Sequence, residues 1–346
     1  MMKLLLKNLI DITAQRENTR LAGSVITALY QLTQVRQIRV HDIFALREEL
    51  FVQEKMFLDE GHLSTIAEHT DDDPKEPLSN FPAIAECMRQ HKNEHYEVDN
   101  DGTHVLWLPV WLHGKVNTCI EMRHPHAYDA AMRELIDGVF AIYCNYQSLL
   151  DYSERDALTG LFNRKTFDEQ FSRHAFAIAP HEAHSVDNNE RRHSGNAKSH
   201  WLAVVDIDHF KQVNDQYGHL YGDEVLILVA NILRTSFRSH DRIFRFGGEE
   251  FVILLRSTTL DDARKIFDRF RQHVQEYDFP QVGNVTVSLG FVGISHETPV
   301  VILGHADQAL YHAKEIGRNR ICYYDELVTS GVLSPEISTN DIVEFF

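Results

Sequence analysis

Positive charge is scarce in this chain. Lys and Arg number 34 against 51 Asp and Glu, a net charge of -17 with His neutral. Such a balance repels a phosphate backbone and argues against a nucleic-acid partner. Cysteine is also sparse: Cys87, Cys119, Cys144 and Cys322 are widely scattered, with no C-x-x-C pair. That speaks against a disulfide framework or a structural zinc site and suits a reducing compartment. Long apolar runs are missing. The longest, near residues 105–112, is interrupted by Pro109 and is too short to cross a bilayer. Residues 1–12 carry Lys3 and Lys7 and lack the apolar core and small-residue cleavage site of a secretory signal. The expectation is a soluble, cytoplasmic protein with no membrane partner.

The chain does have the length and composition of a two-domain globular protein, with 346 residues, 43% hydrophobic and 25% charged. The first part reads as mixed α and β. Apolar spacing predicts helices over 21–31 and 81–91 and strands over 35–44 and 49–58, with an acidic, proline-bearing loop at 68–78. Two apolar strands, 104–111 and 116–122, flank His113-Gly114-Lys115, a hairpin signal. One long helix follows over about 127–154. Its apolar residues, from Met132 through Ile136, Val139, Tyr143 and Tyr146 to Leu150, step by three and four. That stripe fits either packing on its own domain or a dimer-forming connector, and the connector is preferred. His113, His124 and His126 are read as solvated or core histidines rather than metal or haem ligands.

The second half alternates helices (163–175, 222–237, 260–277 and 304–316) with strands (201–208, 243–246, 251–255, 285–294 and 320–324). An α/β sandwich on one central sheet is expected. The polar stretch 179–200, rich in His, Asn and Ser, is read as a surface insertion. No role is assigned to the acidic tail beyond Tyr324.

The apolar run that starts at Trp201 ends in Asp206-Ile207-Asp208, a buried strand delivering carboxylates at its tip. Alternation along a strand puts Asp206 and Asp208 on one face. Further on, two apolar strands flank Gly247-Gly248, and Glu249 follows at the turn. A hairpin pairing beside the 201–208 strand would bring Glu249 near Asp206. Oxygen ligands of this kind suit Mg²⁺, which takes one or two carboxylates together with substrate phosphates. Metal-assisted attack of a hydroxyl on phosphorus is the chemistry such a site serves. A hairpin with merely solvated acids is the plain alternative.

Four ordered blocks carry a resemblance. These are Asp156-Ala-Leu-Thr159-Gly160-Leu161-Phe-Asn163-Arg164; the stretch from Asp206 through Lys211, Asn214, Gly218 and Gly222 to Asp223; Arg245-Phe-Gly-Gly-Glu-Glu-Phe251; and the segment from Asp307 through Tyr311 and Lys314 to Asn319. Together they resemble the GGDEF domain of diguanylate cyclases, in its GGEEF variant. The resemblance implies a central, mostly antiparallel sheet flanked by helices over 156–324. Before it would come a GAF-like mixed α/β sensory domain at 1–126 and a helical, coiled-coil-like connector at 127–155. An acidic tail would follow at 325–346. The implied reaction condenses two GTP into cyclic di-GMP across a homodimer, with two Mg²⁺ per active site and Mn²⁺ as the substitute.

By the same resemblance Asp206, the carbonyl of Ile207 and Glu249 would hold the metal, with Asp206 and Glu249 catalytic. Lys211, His219, Lys314, Arg318 and the Gly247-Gly248 backbone would contact substrate, and Asn214 and Asp223 would read guanine. Arg238-Ser-His-Asp241 resembles the family's product-inhibition motif, with Arg269 as a secondary contact, so cyclic di-GMP is also expected as a feedback ligand. His209 stands where many members carry an aromatic residue. The GAF-like part implies a sensed ligand whose identity is open. The competing reading is a catalytically inactive receptor for GTP or cyclic di-GMP on the same fold.

Overall fold

The computed structural model describes residues 2–46, 49–65, 75–176, 198–238 and 241–334. The expected insertion at 179–200 thus falls almost wholly outside the described residues, as does the tail from 335 onward. Two compact units meet between Ser153 and Glu154.

The first unit contains α1 (Met2–Thr13), α2 (Asn18–Thr33), β1 (Gln37–Leu46), β2 (Glu49–Asp59), β3 (His62–Thr65), β4 (Glu76–Pro77), α3 (Pro82–Gln90), β5 (His95–Val98), β6 (His104–Leu112), β7 (Lys115–His124) and most of α4 (Ala130–Glu154). Its sheet runs β3-β2-β1-β7-β6-β5, with β4 on β2, and every pairing is antiparallel. The hairpin expected around His113 forms. Leu112 pairs with Lys115, and His113 and Gly114 take φ of 50° and 73°, the left-handed pair that matches strand twist. Helix α1 and strand β5 were not anticipated from the sequence.

Both faces of this sheet are covered. Val40, Met56, Leu108 and Ile120 pack with α2 and α4, while Ile43, Val105, Trp107 and Cys119 pack with α3 residues Ala83 and Ile84. The connector reading of the α4 stripe needs correcting here. Ile136, Val139, Tyr143 and Leu150 are buried in the first unit's own core. The apolar period reports that a surface is covered, not by which chain. Only flanking positions such as Leu149 and Tyr152 stay open, at 62% and 75% exposure.

The second unit contains β8 (Phe162–Asn163), α5 (Arg164–Phe176), β9 (Ser199–Ile207), α6 (Phe210–Tyr217), α7 (His219–Ser236), β10 (Arg242–Gly247), β11 (Glu250–Thr258), α8 (Leu260–Glu276), a small ladder of β12 (Asp278–Phe279) with β13 (Gly283–Asn284), β14 (Val287–Gly293), α9 (Pro299–Glu315), β15 (Ile321–Tyr323) and α10 (Tyr324–Thr329). The sheet order is β15-β14-β9-β11-β10-β8. Its central pairings are antiparallel, and only the outer ones, β14–β15 and β10–β8, are parallel. The fold is therefore the expected α/β sheet flanked by helices.

Strand alternation divides β9 between two cores. Trp201, Ala203, Val205 and Ile207 face α7 and α8, while Leu202 and Val204 face α5 and α9. Asp206 is next on the α5/α9 side. Helix α8 starts cleanly because Thr259 Oγ1 accepts from Asp262 N at 3.2 Å. Helix α6 escaped the sequence reading: of its eight residues only Phe210 is buried, so it shows no apolar stripe.

Candidate active site

The site forms at the end of β9, where Asp206 is 5% exposed. Helix α9 lies close over this end of the sheet because Gly290 on β14 has no side chain. A Cβ there would fall 2.0 Å from the Ala306 carbonyl oxygen and 2.2 Å from Leu310 N. The close approach lets Lys314, in the last turn of α9, place Nζ 2.9 Å from Asp206 Oδ2. Arg318 adds positive charge from the following turn, where it takes φ of 62°.

Strand β11 pairs directly with β9, and Glu250 stands opposite Asp206. Directly paired residues project to one face, so Glu250 and Asp206 share the α5/α9 side. This position was missed by sequence reasoning, which stopped at Glu249. The signal was present: Glu250 lies two residues before Val252, on the same face of an alternating strand. Glu249 itself occupies the turn beside it, half-buried.

Burial raises the pKa of Asp206 above the ordinary 3.8, Lys314 pulls it down, and Asp208 pushes it up again. Burial likewise raises Glu249 above 4.5, with the Asp206 charge adding to the shift and Lys314 opposing it. The Asp206 charge that disfavours ionisation of Glu249 is one that a bound cation would offset. Among the described residues no three His, Cys, Asp or Glu side chains converge on a cation by themselves.

Asp208 is committed to structure. Its Oδ2 accepts from Thr286 Oγ1 at 2.7 Å and Asn319 N at 3.0 Å, and its Oδ1 from Ser288 Oγ at 2.7 Å. It thereby pins the turn after α9 to β14, fixing the loop that carries Arg318.

The tip of the β10–β11 hairpin is held from below. Gly247 and Gly248 are exposed, and Gly248 takes φ of 45°. Arg245 donates from Nη2 to the Gly248 carbonyl at 2.8 Å and from Nη1 to Asp156 Oδ1 at 3.0 Å. Asp156 also accepts from Thr159 N at 2.8 Å and Thr159 Oγ1 at 2.6 Å. The opening Asp156-Ala-Leu-Thr159 turn thus anchors the tip, a link across 89 residues that local sequence signals do not show.

The expected guanine readers lie on the α6–α7 corner. Asn214 is half-buried on α6 and Asp223 is exposed on α7. Gly222, the residue before Asp223, lies against Asn214: a Cβ there would meet Asn214 Oδ1 at 2.0 Å. Lys211 and His219 are exposed on the same two helices.

The residues expected to take product lie on another edge. Asp241 is buried, accepting from Arg238 N at 2.9 Å and Arg256 N at 3.2 Å. Arg238 and Arg269 are exposed, and Arg269 Nη2 donates to the Ser236 carbonyl at 2.9 Å. The two arginines therefore flank one turn, while the Asp241 carboxylate is spent on the backbone. Ser239 and His240 lie outside the described residues.

The family model for the diguanylate cyclase GGDEF domain matches residues 153–320. Diguanylate cyclase DgcZ of Escherichia coli is 31% identical over 246 residues, covering 66% of this chain and 76% of that protein. Diguanylate cyclase DgcP of Pseudomonas aeruginosa is 39% identical over 170 residues, 48% of this chain but only 23% of that protein. Among solved structures, the coiled coil and GGDEF domain of DgcB from Caulobacter crescentus, in complex with c-di-GMP, matches with 28% identity. Its TM-score is 0.48, over 56% of this chain and 97% of that one. The chain belongs to the GGDEF family of diguanylate cyclases.

Proposed function

We propose that the chain condenses two GTP into cyclic di-GMP, releasing two pyrophosphates. The observation that carries this reading is the cluster at the end of β9. Asp206 pairs with Lys314 at 2.9 Å and faces Glu250 across the ladder, and Glu249 lies in the adjoining turn. Asp206, the Ile207 carbonyl and Glu249 would hold Mg²⁺, with Mn²⁺ as the substitute and Glu250 on the same face. Bound metal supplies Lewis-acid stabilisation of the attacked phosphate and lowers the proton affinity of the attacking hydroxyl.

The chain's own residues bind and orient. Lys314, Arg318 and Lys211 offset phosphate charge, and the exposed Gly247-Gly248 backbone lets the nucleotide lie close. Asn214 and Asp223 accept from the guanine N1–H and N2–H, which adenine cannot offer as a pair. His219 adds a contact beside them. Each 3′-hydroxyl attacks the α-phosphate of the other nucleotide, so two chains must present their sites to each other. Alignment of two bound substrates is itself a large part of the rate. Leu149 and Tyr152, left open on α4, are candidates for contact between copies.

The same proposal extends to control. Arg238, Arg269 and the turn braced by Asp241 would bind cyclic di-GMP as a feedback ligand. The first unit is read as a GAF-like sensor, supported by an antiparallel sheet covered by helices on both faces. A cytoplasmic location is supported by four cysteines that are all free. Among the described residues no helix is long and apolar enough to cross a membrane.

The test is incubation of the purified full chain with GTP and Mg²⁺, with the product identified by mass. Cyclic di-GMP is expected. A folded chain that binds GTP without turnover would instead be a receptor on the same fold.

A further inference from the structure

The first unit contains a cavity of about 360 Å³ at one end of its sheet, bordered by Arg36, Arg39, Arg123, His124, Asp101 and Thr103. Its size is that of a small-molecule site, for which roughly 300–1,000 Å³ is usual. Its immediate lining is basic, although acids behind it pair with two of the three arginines. Three guanidiniums and an imidazole face one carboxylate in a protein whose net charge is -17.

The register explains how two of the three arginines converge. Gln37 pairs with Arg123 and Arg39 pairs with Glu121 across β1 and β7. Paired residues, and residues two apart on a strand, share a face. Arg39, Glu121 and Arg123 therefore project together from the sheet. Glu121, 2% exposed, acts as a strut from behind. Its Oε1 accepts from Arg123 Nη1 at 2.9 Å, its Oε2 contacts His41 Nε2 at 2.8 Å, and Arg39 Nη1 lies 3.9 Å away. The remaining acids of the group, Glu54 beside Arg39 and Asp99 beside Arg123, pair with the guanidiniums but do not line the cavity. The lining Asp101 carboxylate is occupied by Thr103 N at 2.9 Å.

Two of the lining residues carry a buried nitrogen without a hydrogen bond, and one arginine is left without an acid among the described residues. Arg39 Nε is buried with no hydrogen-bond partner, since Glu54 Oε2 at 3.5 Å lies outside hydrogen-bond geometry. His124 Nδ1 is also buried without a partner. Arg36 is exposed at the rim and has no acidic partner among the described residues. Guanidinium forks held in place are suited to the oxygens of a phosphate or carboxylate.

We propose that this cavity binds a small metabolite through its oxyanion, a phosphate or a carboxylate, seated among Arg36, Arg39 and His124. The site belongs to the first unit and does not depend on the cyclase reading of the second. A ligand there bridges β1, β7 and the β5–β6 turn, so it would stiffen the unit that precedes the catalytic one.

The test uses the full chain and two probes in separate titrations, inorganic phosphate followed by ³¹P NMR and succinate followed by saturation-transfer NMR. Arg36→Gln is the informative variant, because an exposed rim residue is removed without disturbing the Glu121 strut. Lys314→Met controls for anions held in the second unit. The expected result is saturable binding of at least one probe, with a component that Arg36→Gln weakens tenfold or more and that Lys314→Met leaves in place. Phosphate alone would assign a phosphorylated ligand, and succinate alone a carboxylated one. Binding of neither probe, or binding by Arg36→Gln equal to wild type, would overturn the proposal.

Discussion

Lys314 Nζ reaches Asp206 Oδ2 at 2.9 Å only because helix α9 rests against the bare backbone of Gly290. The ion pair and the glycine are parts of one arrangement, although they lie on different elements. Gly290→Ala would drive a Cβ into the Ala306 carbonyl and Leu310 N, which are backbone atoms and cannot rotate away. Overpacking of this kind costs about 1–3 kcal/mol. Thermal unfolding should show that loss. Turnover should fall as well, since α9 carries Lys314. A variant with wild-type stability and activity would show that α9 does not sit where the structure puts it.

Carboxylates raised by burial make a pH-dependent contribution to stability. Glu249 has a folded-state pKa above its ordinary 4.5, so its ionisation is harder in the folded chain than in the unfolded one. Its favourable contribution is present below 4.5 and is lost as pH rises through the raised value. With metal chelated, Glu249→Gln should therefore melt higher than wild type at neutral pH. The gap should close in acid, below the ordinary carboxylate range. A melting difference that stays flat across pH would contradict the assigned shift.

In the proposed reading, guanine selection depends on a corner rather than a single residue. Asp223→Ala should weaken GTP far more than ATP, because it removes a charged acceptor for guanine N–H, a hydrogen bond worth roughly 1.5–3 kcal/mol at most at an exposed position. Gly222→Ala should do something similar by a different route, since its Cβ would displace the Asn214 amide. That side chain can rotate, so the fold should survive while GTP affinity falls. Equal losses for GTP and ATP in a binding titration would remove both residues from guanine reading.

In the proposed feedback site, the roles of Arg238 and Asp241 should separate. Arg238→Ala should leave the initial rate intact and raise the product plateau, because bound product would no longer hold domains apart. Asp241→Ala should behave differently. It strips two backbone N–H groups of their acceptor and should destabilise by about 1–3 kcal/mol. Progress curves that overlay for wild type and Arg238→Ala would refute the feedback role.

Much of the catalytic unit was legible in the sequence, and the reasons are local. The apolar run into Asp206 had to be a buried strand, and Gly247-Gly248 between two apolar strands had to be a hairpin. What was not legible depends on long-range register or on which surface covers which. Glu250 opposite Asp206 follows from the β9–β11 pairing, and the Arg245–Asp156 link joins residues far apart in the chain. Helix α6 buries only Phe210 and so leaves no period to read. The α4 stripe was legible as a stripe, but periodicity alone favoured a second chain where the first unit's own core covers it.

The central claim is that Glu249 and Asp206 serve metal-assisted condensation of GTP. It is tested most directly by assaying wild type and E249Q side by side with GTP and Mg²⁺, counting cyclic di-GMP by mass. Glutamine keeps the shape and removes the charge. Losing a charge-stabilising group at such a site costs on the order of 3 kcal/mol, about a hundredfold in rate. The account predicts cyclic di-GMP from wild type, its disappearance when the metal is chelated, and at least that hundredfold loss in a folded E249Q. Near wild-type turnover by E249Q, or no cyclic di-GMP from the wild-type chain, would contradict it.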